Sequence, residues 1–265
     1  MRIGVVLPWL SETIGGGFTF EQAVMDGLLK RVADTRHELC FLGYGETWAR
    51  AGDLPRNARY LRVRPSIEVA SAWLREGSLS RVLASPRTSG RGLLETVKSS
   101  LRERLLLRHG IQCLLHLTPE TFDLDIPYVN VVWDIEHRLQ PYFPEFSAGG
   151  EWMRREQHYR RTLARAAAVV TGTEVGRKQL EQQFGVAPER VLILPHPTPS
   201  DALAYGQSAH PPRKEQPPTL FYPAQFWAHK NHVGLLHALR ILAERHQVRP
   251  TLYLSGSDQG NRAHV

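Results

Sequence analysis

Apolar residues along this chain fall into two alternating spacings. Short continuous runs occur at Ile3–Leu7, Glu38–Gly43, Tyr60–Val63, Ile111–Leu115, Val129–Trp133, Ala168–Thr171, Val191–Leu194, Leu220–Tyr222 and Leu252–Leu254. Each is short enough to be one strand. Between them apolar positions recur every three or four residues, as at Ala23, Val24, Leu28 and Val32. That spacing predicts helices over Phe20–Val32, Leu93–Arg108, Trp152–Ala166, Val175–Phe184 and His232–His246. Strands alternating with helices of this length predict βαβ units, a mostly parallel sheet and an α/β fold.

One stretch breaks the alternation. Pro195, Pro197, Pro199, Pro211, Pro212, Pro217 and Pro218 crowd a segment without periodicity, which reads as a linker. The expected division is a first domain over residues 1–197, a Pro-rich linker over 198–217, and one βαβ unit over 218–265. A single βαβ unit cannot cover both faces of its own sheet. The last unit is therefore expected to be the opening of a longer, truncated domain.

Composition narrows the class. The chain has 265 residues, 42% of them hydrophobic and 22% charged, which excludes a disordered or collagen-like polymer. Its apolar runs are far shorter than a membrane span needs, and Met1-Arg2 followed by a brief apolar run ending at Pro8 reads as a first strand, not a signal peptide. Two cysteines, Cys40 and Cys113, make no disulfide framework and fit a reducing, cytoplasmic setting. The net charge of +7 permits phosphate-rich ligands or peripheral contact with an anionic membrane. No nucleophile elbow, P-loop or nucleic-acid module is present, and no nucleic-acid partner is expected.

Five segments carry candidate chemistry. Gly15-Gly16-Gly17 lies between the first strand and a helix expected to open near Thr19. It suits either a flexible connection or a loop held against an anionic ligand. The run from Trp133 to Glu145 follows a strand and holds Asp134, Glu136, His137 and Arg138, which offer a general base, a hydroxyl contact or a sugar clamp. A solvated loop of mutually paired charges is the alternative. Tyr222–His232 is again a strand-to-helix turn, with Lys230 beside the helix start where free N–H groups favour an anion. His229 and His232 lack a third ligand at metal-binding spacing, so no metal is expected. Thr171 and Glu174 have capping-box spacing, and Gly185 suits the stop of the same helix. The stretch Arg75–Arg108 combines arginines with a leucine stripe, which lies on a membrane surface or faces the core.

Taken together, these residues resemble the family-4 glycosyltransferases of the two-domain GT-B architecture, in particular a bacterial mannosyltransferase-like subgroup that builds surface polysaccharides. The most specific part is Phe221–His232, continued by Ser255–Asn261, Trp133–Glu145, Ala168–Glu174 and Phe184–Val191. The resemblance implies an N-terminal Rossmann-like domain that takes the acceptor and an incomplete second one that binds a nucleoside-diphosphate sugar. It implies retaining hexosyl transfer to a glycan or lipid-linked acceptor, with no cofactor beyond the donor substrate. Gly16 and Gly17 match the glycine loop lying against the donor phosphates, and Lys230 matches the lysine on the diphosphate leaving group. Gln225 stands where many relatives place an arginine, and Asn231 completes the donor-side set. Trp133-Asp134 replaces a His-Asp pair, which leaves His137 and Asp134 as the candidate catalytic residues.

The paired glutamates that hold the donor sugar in that family would lie beyond Val265. The chain alone is therefore expected to transfer sugar poorly. A non-catalytic remnant that binds a glycan or a partner is the main rival, and a nucleotide-sugar epimerase of similar architecture is the second.

Overall fold

The computed structural model describes residues 1–7, 16–43, 52, 54–63, 101–121, 124–198, 200–208 and 218–265. Among them the chain divides into two compact units, residues 1–134 with 159–200, and residues 135–158 with 201–265. The predicted linker begins at residue 198, and the units divide after residue 200. Residues 135–158, expected in the first domain, group with the second unit.

The first unit holds a seven-stranded, all-parallel sheet in the order β3-β2-β1-β4-β5-β6-β7. Its strands are β1 (Arg2–Val6), β2 (Glu38–Gly43), β3 (Ala58–Arg62), β4 (Cys113–His116), β5 (Tyr128–Val131), β6 (Ala168–Thr171) and β7 (Val191–Ile193). β1 pairs with both β2 and β4, so strand order reverses there. In doubly wound sheets ligands sit beyond the carboxyl ends of the strands at such a reversal. The central strands read as unbroken apolar runs because both faces are covered. Val5, Cys40, Phe41, Leu42, Leu114 and Val169 are solvent-free. Helix α1 (Gly16–Val32) packs Met25 and Val32 against Val5, Leu39, Phe41 and Leu117.

Residues 101–108 are helical; of the stripe, Leu101 is buried and Leu105 half-buried, and Leu106 beside it is buried while Leu107 is exposed. In this part of the leucine stripe the core-facing alternative holds. The rest of the stretch from Arg75, and the first half of the expected helix, lie outside the described residues, as does Gly15.

Three local expectations are corrected. α1 opens at Gly16, not near Thr19, so Gly16 and Gly17 are the first residues of a helix rather than a loop ahead of it. Helix starts tolerate glycine because first-turn N–H groups have no intrahelical partner in any case. The helix Glu174–Phe184 is capped by Thr173, whose Oγ1 accepts from Gly176 N at 3.0 Å, and not by Thr171, which lies in β6. Gly185 ends that helix in the left-handed region at φ 65°, as expected. Third, Ser200–Gln207, within the predicted linker, is helical. The sequence between Pro199 and Pro211 contains no proline and carries Ala202, Leu203 and Ala204, which are good helix formers.

The second unit contains short helices α2 (Glu136–Leu139) and α3 (Pro144–Ser147) and the first half of α4 (Glu151–Arg165). It continues through β8 (Thr219–Pro223), α7 (His232–His246) and β9 (Thr251–Ser255), with α5 and α6 denoting Glu174–Phe184 and Ser200–Gln207. β8 and β9 pair in parallel from Thr219↔Thr251 to Pro223↔Ser255. This is the single βαβ unit expected from the sequence, and α7 has the predicted bounds. No helix among the described residues is long and apolar enough to cross a membrane.

Candidate functional site

The turn between β8 and α7 is built from hydrogen bonds rather than apolar bulk. Phe226 N donates to Ser257 O at 3.0 Å, and Asn261 N donates to Phe226 O at 3.2 Å. The loop after β8 is thereby laid along the segment after β9. Gly256 permits the approach: a Cβ at that position would collide with the Ala224 carbonyl. Gln225 is used at both ends of its amide. Its Nε2 donates to Ser257 Oγ at 2.8 Å and its Oε1 accepts from Trp227 Nε1 at 3.1 Å. Gln225 therefore braces the loop where the resemblance placed it on a diphosphate.

Ala228–Lys230 then form one 3₁₀ turn, in which Asn231 N donates to Ala228 O at 3.1 Å. Tyr222, at the end of β8, donates its hydroxyl to Lys230 O at 2.8 Å. Asn231 takes the left-handed conformation at φ 52° and caps α7, its Oδ1 accepting from Gly234 N at 3.1 Å. Asparagine is among the few residues that tolerate this geometry. His232 is fully buried, stacked on Phe226 at 4.5 Å and edge-on to Tyr222 at 5.1 Å, with neither ring nitrogen hydrogen-bonded among the described residues. Lys230 is exposed, and its ammonium forms no ion pair among the described residues.

Glu145 reaches this turn from α3. Its Oε1 accepts from His229 N at 2.8 Å and meets His229 Nδ1 at 2.6 Å. The carboxylate is 5% exposed. Burial alone would raise its pKa. The hydrogen bonds from the His229 N–H, from its own N–H and from the His229 ring outweigh that and hold it below the ordinary carboxylate value. Phe146 packs on the His229 ring at 5.1 Å, and Phe143 lies at 6.1 Å.

His137, the candidate for a hydroxyl contact, lies inside the second unit. Its ring is fully buried, 6.2 Å from Trp152, with Nε2 3.3 Å from Glu156 Oε2. Arg138 clamps the same carboxylate in bidentate fashion, at 2.8 and 2.6 Å. Burial, then the charge of Arg155, pushes the His137 pKa down against the pull of Glu156. The ring is an internal member of an ionic network in the second unit. Asp134 belongs to the first unit, where its backbone carbonyl accepts from the Tyr159 hydroxyl at 3.3 Å.

At the carboxyl edge of the first unit's sheet, Phe20 packs on Trp133 at 5.9 Å and on His196 at 4.9 Å. Among the described residues, nothing lies within 4 Å of where a Cβ on Gly16 would sit. His229 and His232 do not converge as ligands, since one is engaged by Glu145 and the other lies between rings. No group of three or more His, Cys, Asp or Glu side chains suited to a metal ion occurs among the described residues.

Sequence reading missed the pairing of Glu145 with His229, which joins residues 84 positions apart. It also missed the supporting parts played by Tyr222 and Ser257. The only available signal was Pro144-Glu145, an acid one residue past a helix-opening proline.

No protein-family model matches the chain, and no curated protein matches it. Among solved structures, TarM aligns over 99% of this chain and 73% of its own, at 10% identity and a TM-score of 0.52. A glycosyltransferase from Rickettsia africae ESF-5 covers 97% of this chain and 68% of its own, at 10% identity and a TM-score of 0.43. UDP-GlcNAc 2-epimerase from Methanocaldococcus jannaschii covers 96% and 65%, at 10% identity and 0.42. The likeness to TarM shows the fold, α/β of the GT-B type.

Proposed function

We propose that this chain is the acceptor-side domain and the opening βαβ unit of the donor domain of a glycosyltransferase. The donor is a nucleoside-diphosphate hexose, and the acceptor is a glycan or lipid-linked saccharide of surface polysaccharide synthesis. Transfer proceeds with retention at the anomeric carbon and takes no metal. The +7 charge suits an acceptor presented at an anionic membrane surface on the cytoplasmic side.

One observation carries the reading. Lys230 presents an ammonium without an ion-pair partner among the described residues, from a turn held by Tyr222 and Glu145, just before the first free N–H groups of α7. Left empty, a cation at a helix N-terminus opposes the dipole; with a diphosphate bound, both the charge and the N–H groups are satisfied. Negative charge on the leaving diphosphate grows as the glycosidic bond breaks. A fixed cation therefore stabilises the transition state more than the ground state. Gly16 and Gly17 are the glycine contact to the donor phosphates, at the start of α1 beside the strand reversal of the first unit. Asn231 serves by fixing the start of α7. Asp134 and His137 are the acceptor-side candidates, His137 through its network with Glu156 and Arg138.

Calorimetric titration with UDP, GDP and ADP at fixed ionic strength tests this. Wild type binds a nucleoside diphosphate, and Lys230→Ala binds it about ten- to hundredfold more weakly. Equal affinities would remove the diphosphate from Lys230 and the assignment with it.

A further inference from the structure

We propose that Glu145 is a positioning residue for Lys230. It holds His229 by backbone and side chain at once and so fixes the direction in which the neighbouring ammonium projects; this rests on the reading that Lys230 binds a diphosphate.

One carboxylate oxygen takes two hydrogen bonds from one residue, 2.8 Å from the amide N–H and 2.6 Å from ring Nδ1. The amide bond fixes the peptide plane entering His229, and the ring bond fixes its side-chain torsions. Lys230 is the next residue, and its own carbonyl is held by the Tyr222 hydroxyl. The backbone is thereby gripped on both sides of the Lys230 Cα. The remaining braces act at the two ends: Gln225 with Ser257 on the approach, and Asn231 on the exit into α7.

Glu145 differs from the other braces in origin and in charge. It comes from α3, far away in sequence, and it is a buried anion bonded to the residue next to a cation that must stay available. A carboxylate free to reach Lys230 would compete with a phosphate. Both contacts to His229, together with 5% exposure, keep the Glu145 charge engaged and leave the lysine open. A buried carboxylate is costly unless its hydrogen bonds are made, and His229 makes them. In the ring contact Nδ1 carries the hydrogen, since the carboxylate can only accept.

The test is a double-mutant cycle on the full chain, with inorganic pyrophosphate alone as the probe and the His229 amide observed by NMR. Glu145→Ala weakens pyrophosphate binding about three- to tenfold and shifts the His229 amide resonance. Glu145→Gln, which keeps an oxygen acceptor in place, restores affinity to within about twofold. In a Lys230→Ala background Glu145→Ala has no further effect, because it acts only through the lysine. A purely structural role predicts instead that the two losses add, and additive losses overturn the proposal. So does an Ala variant with a displaced His229 amide and unchanged affinity; that result leaves the diphosphate reading intact. Binding insensitive to Lys230→Ala, or no binding by wild type, refutes the diphosphate reading and the positioning role together. Should Glu145→Ala not fold, His229→Ala, which keeps the amide bond and removes the ring, is read in the same way.

Discussion

In the seven-stranded sheet the middle strands have neighbours on both sides, and Phe41, Leu42 and Leu114 are solvent-free. In the two-stranded sheet the same kind of apolar run leaves Phe221 65% and Tyr253 58% exposed. Local sequence does not separate the two regions, since both are strand, turn, helix, strand. Coverage does: a parallel pair with one crossover helix has too few partners to exclude water. The first unit is held by area removed from water. The turn of the second is held by discrete hydrogen bonds, from Tyr222, Gln225, Asn231 and Glu145. Apolar burial tolerates shifts along its direction, whereas hydrogen bonds fix single atoms. The second kind of order is the one that can aim an ammonium.

The contrast is broken most directly in the first unit. Phe41→Ala removes a fully buried ring and lowers stability by about 3–5 kcal/mol in urea unfolding; a loss below about 1 kcal/mol would mean that the sheet is not the core. In the second unit the comparable damage is smaller and local. Asn231→Ala loses the cap and forces alanine into the left-handed region, for about 2 kcal/mol, read as faster amide exchange in α7. Asn231→Gly keeps the conformation and loses only the cap, so it costs only a few tenths of a kcal/mol. Equal effects would show that φ at this position is unimportant.

A third prediction concerns acid. Folded His137 has a pKa below the ordinary 6.5, so below that pH the unfolded chain takes up the proton more readily than the folded one. Stability from this source is fully present above 6.5 and is lost as pH falls toward the depressed folded value. His137→Gln therefore flattens the fall in stability below pH 6.5 relative to wild type. Identical slopes would place the ring in water. The smallest effect is expected at Phe221→Thr, within about 0.5 kcal/mol, because that ring is already wet; a large loss would show that the strand face is covered in solution.

Much of the first unit was legible from apolar runs alone. β2 and β6 have their predicted bounds, and the other strands shift by one or two residues at their ends. α7 was found whole because Asn231 ahead of it and the polar residues after His246 bound its periodicity. The helices α2 and α3 were not, since four residues carry no period. α6 was hidden by the prolines on either side of it. The turn that carries Lys230 and Asn231 was legible because it is one continuous strand-to-helix motif. Glu145 lay inside a quoted motif without a role, since nothing local links an acid to a histidine 84 residues on. His137 was named from its neighbours, but its surroundings were not legible. Its neighbours suggested an open loop, and burial by Trp152 with pairing to Glu156 is a property of the folded unit.

The most direct test of the central claim is a crystal structure of the chain with a bound nucleoside diphosphate. The account predicts the Lys230 Nζ within hydrogen-bond distance of a phosphate oxygen, with the Glu145–His229 contact retained. A nucleotide bound elsewhere, with that ammonium directed into bulk solvent, would contradict it.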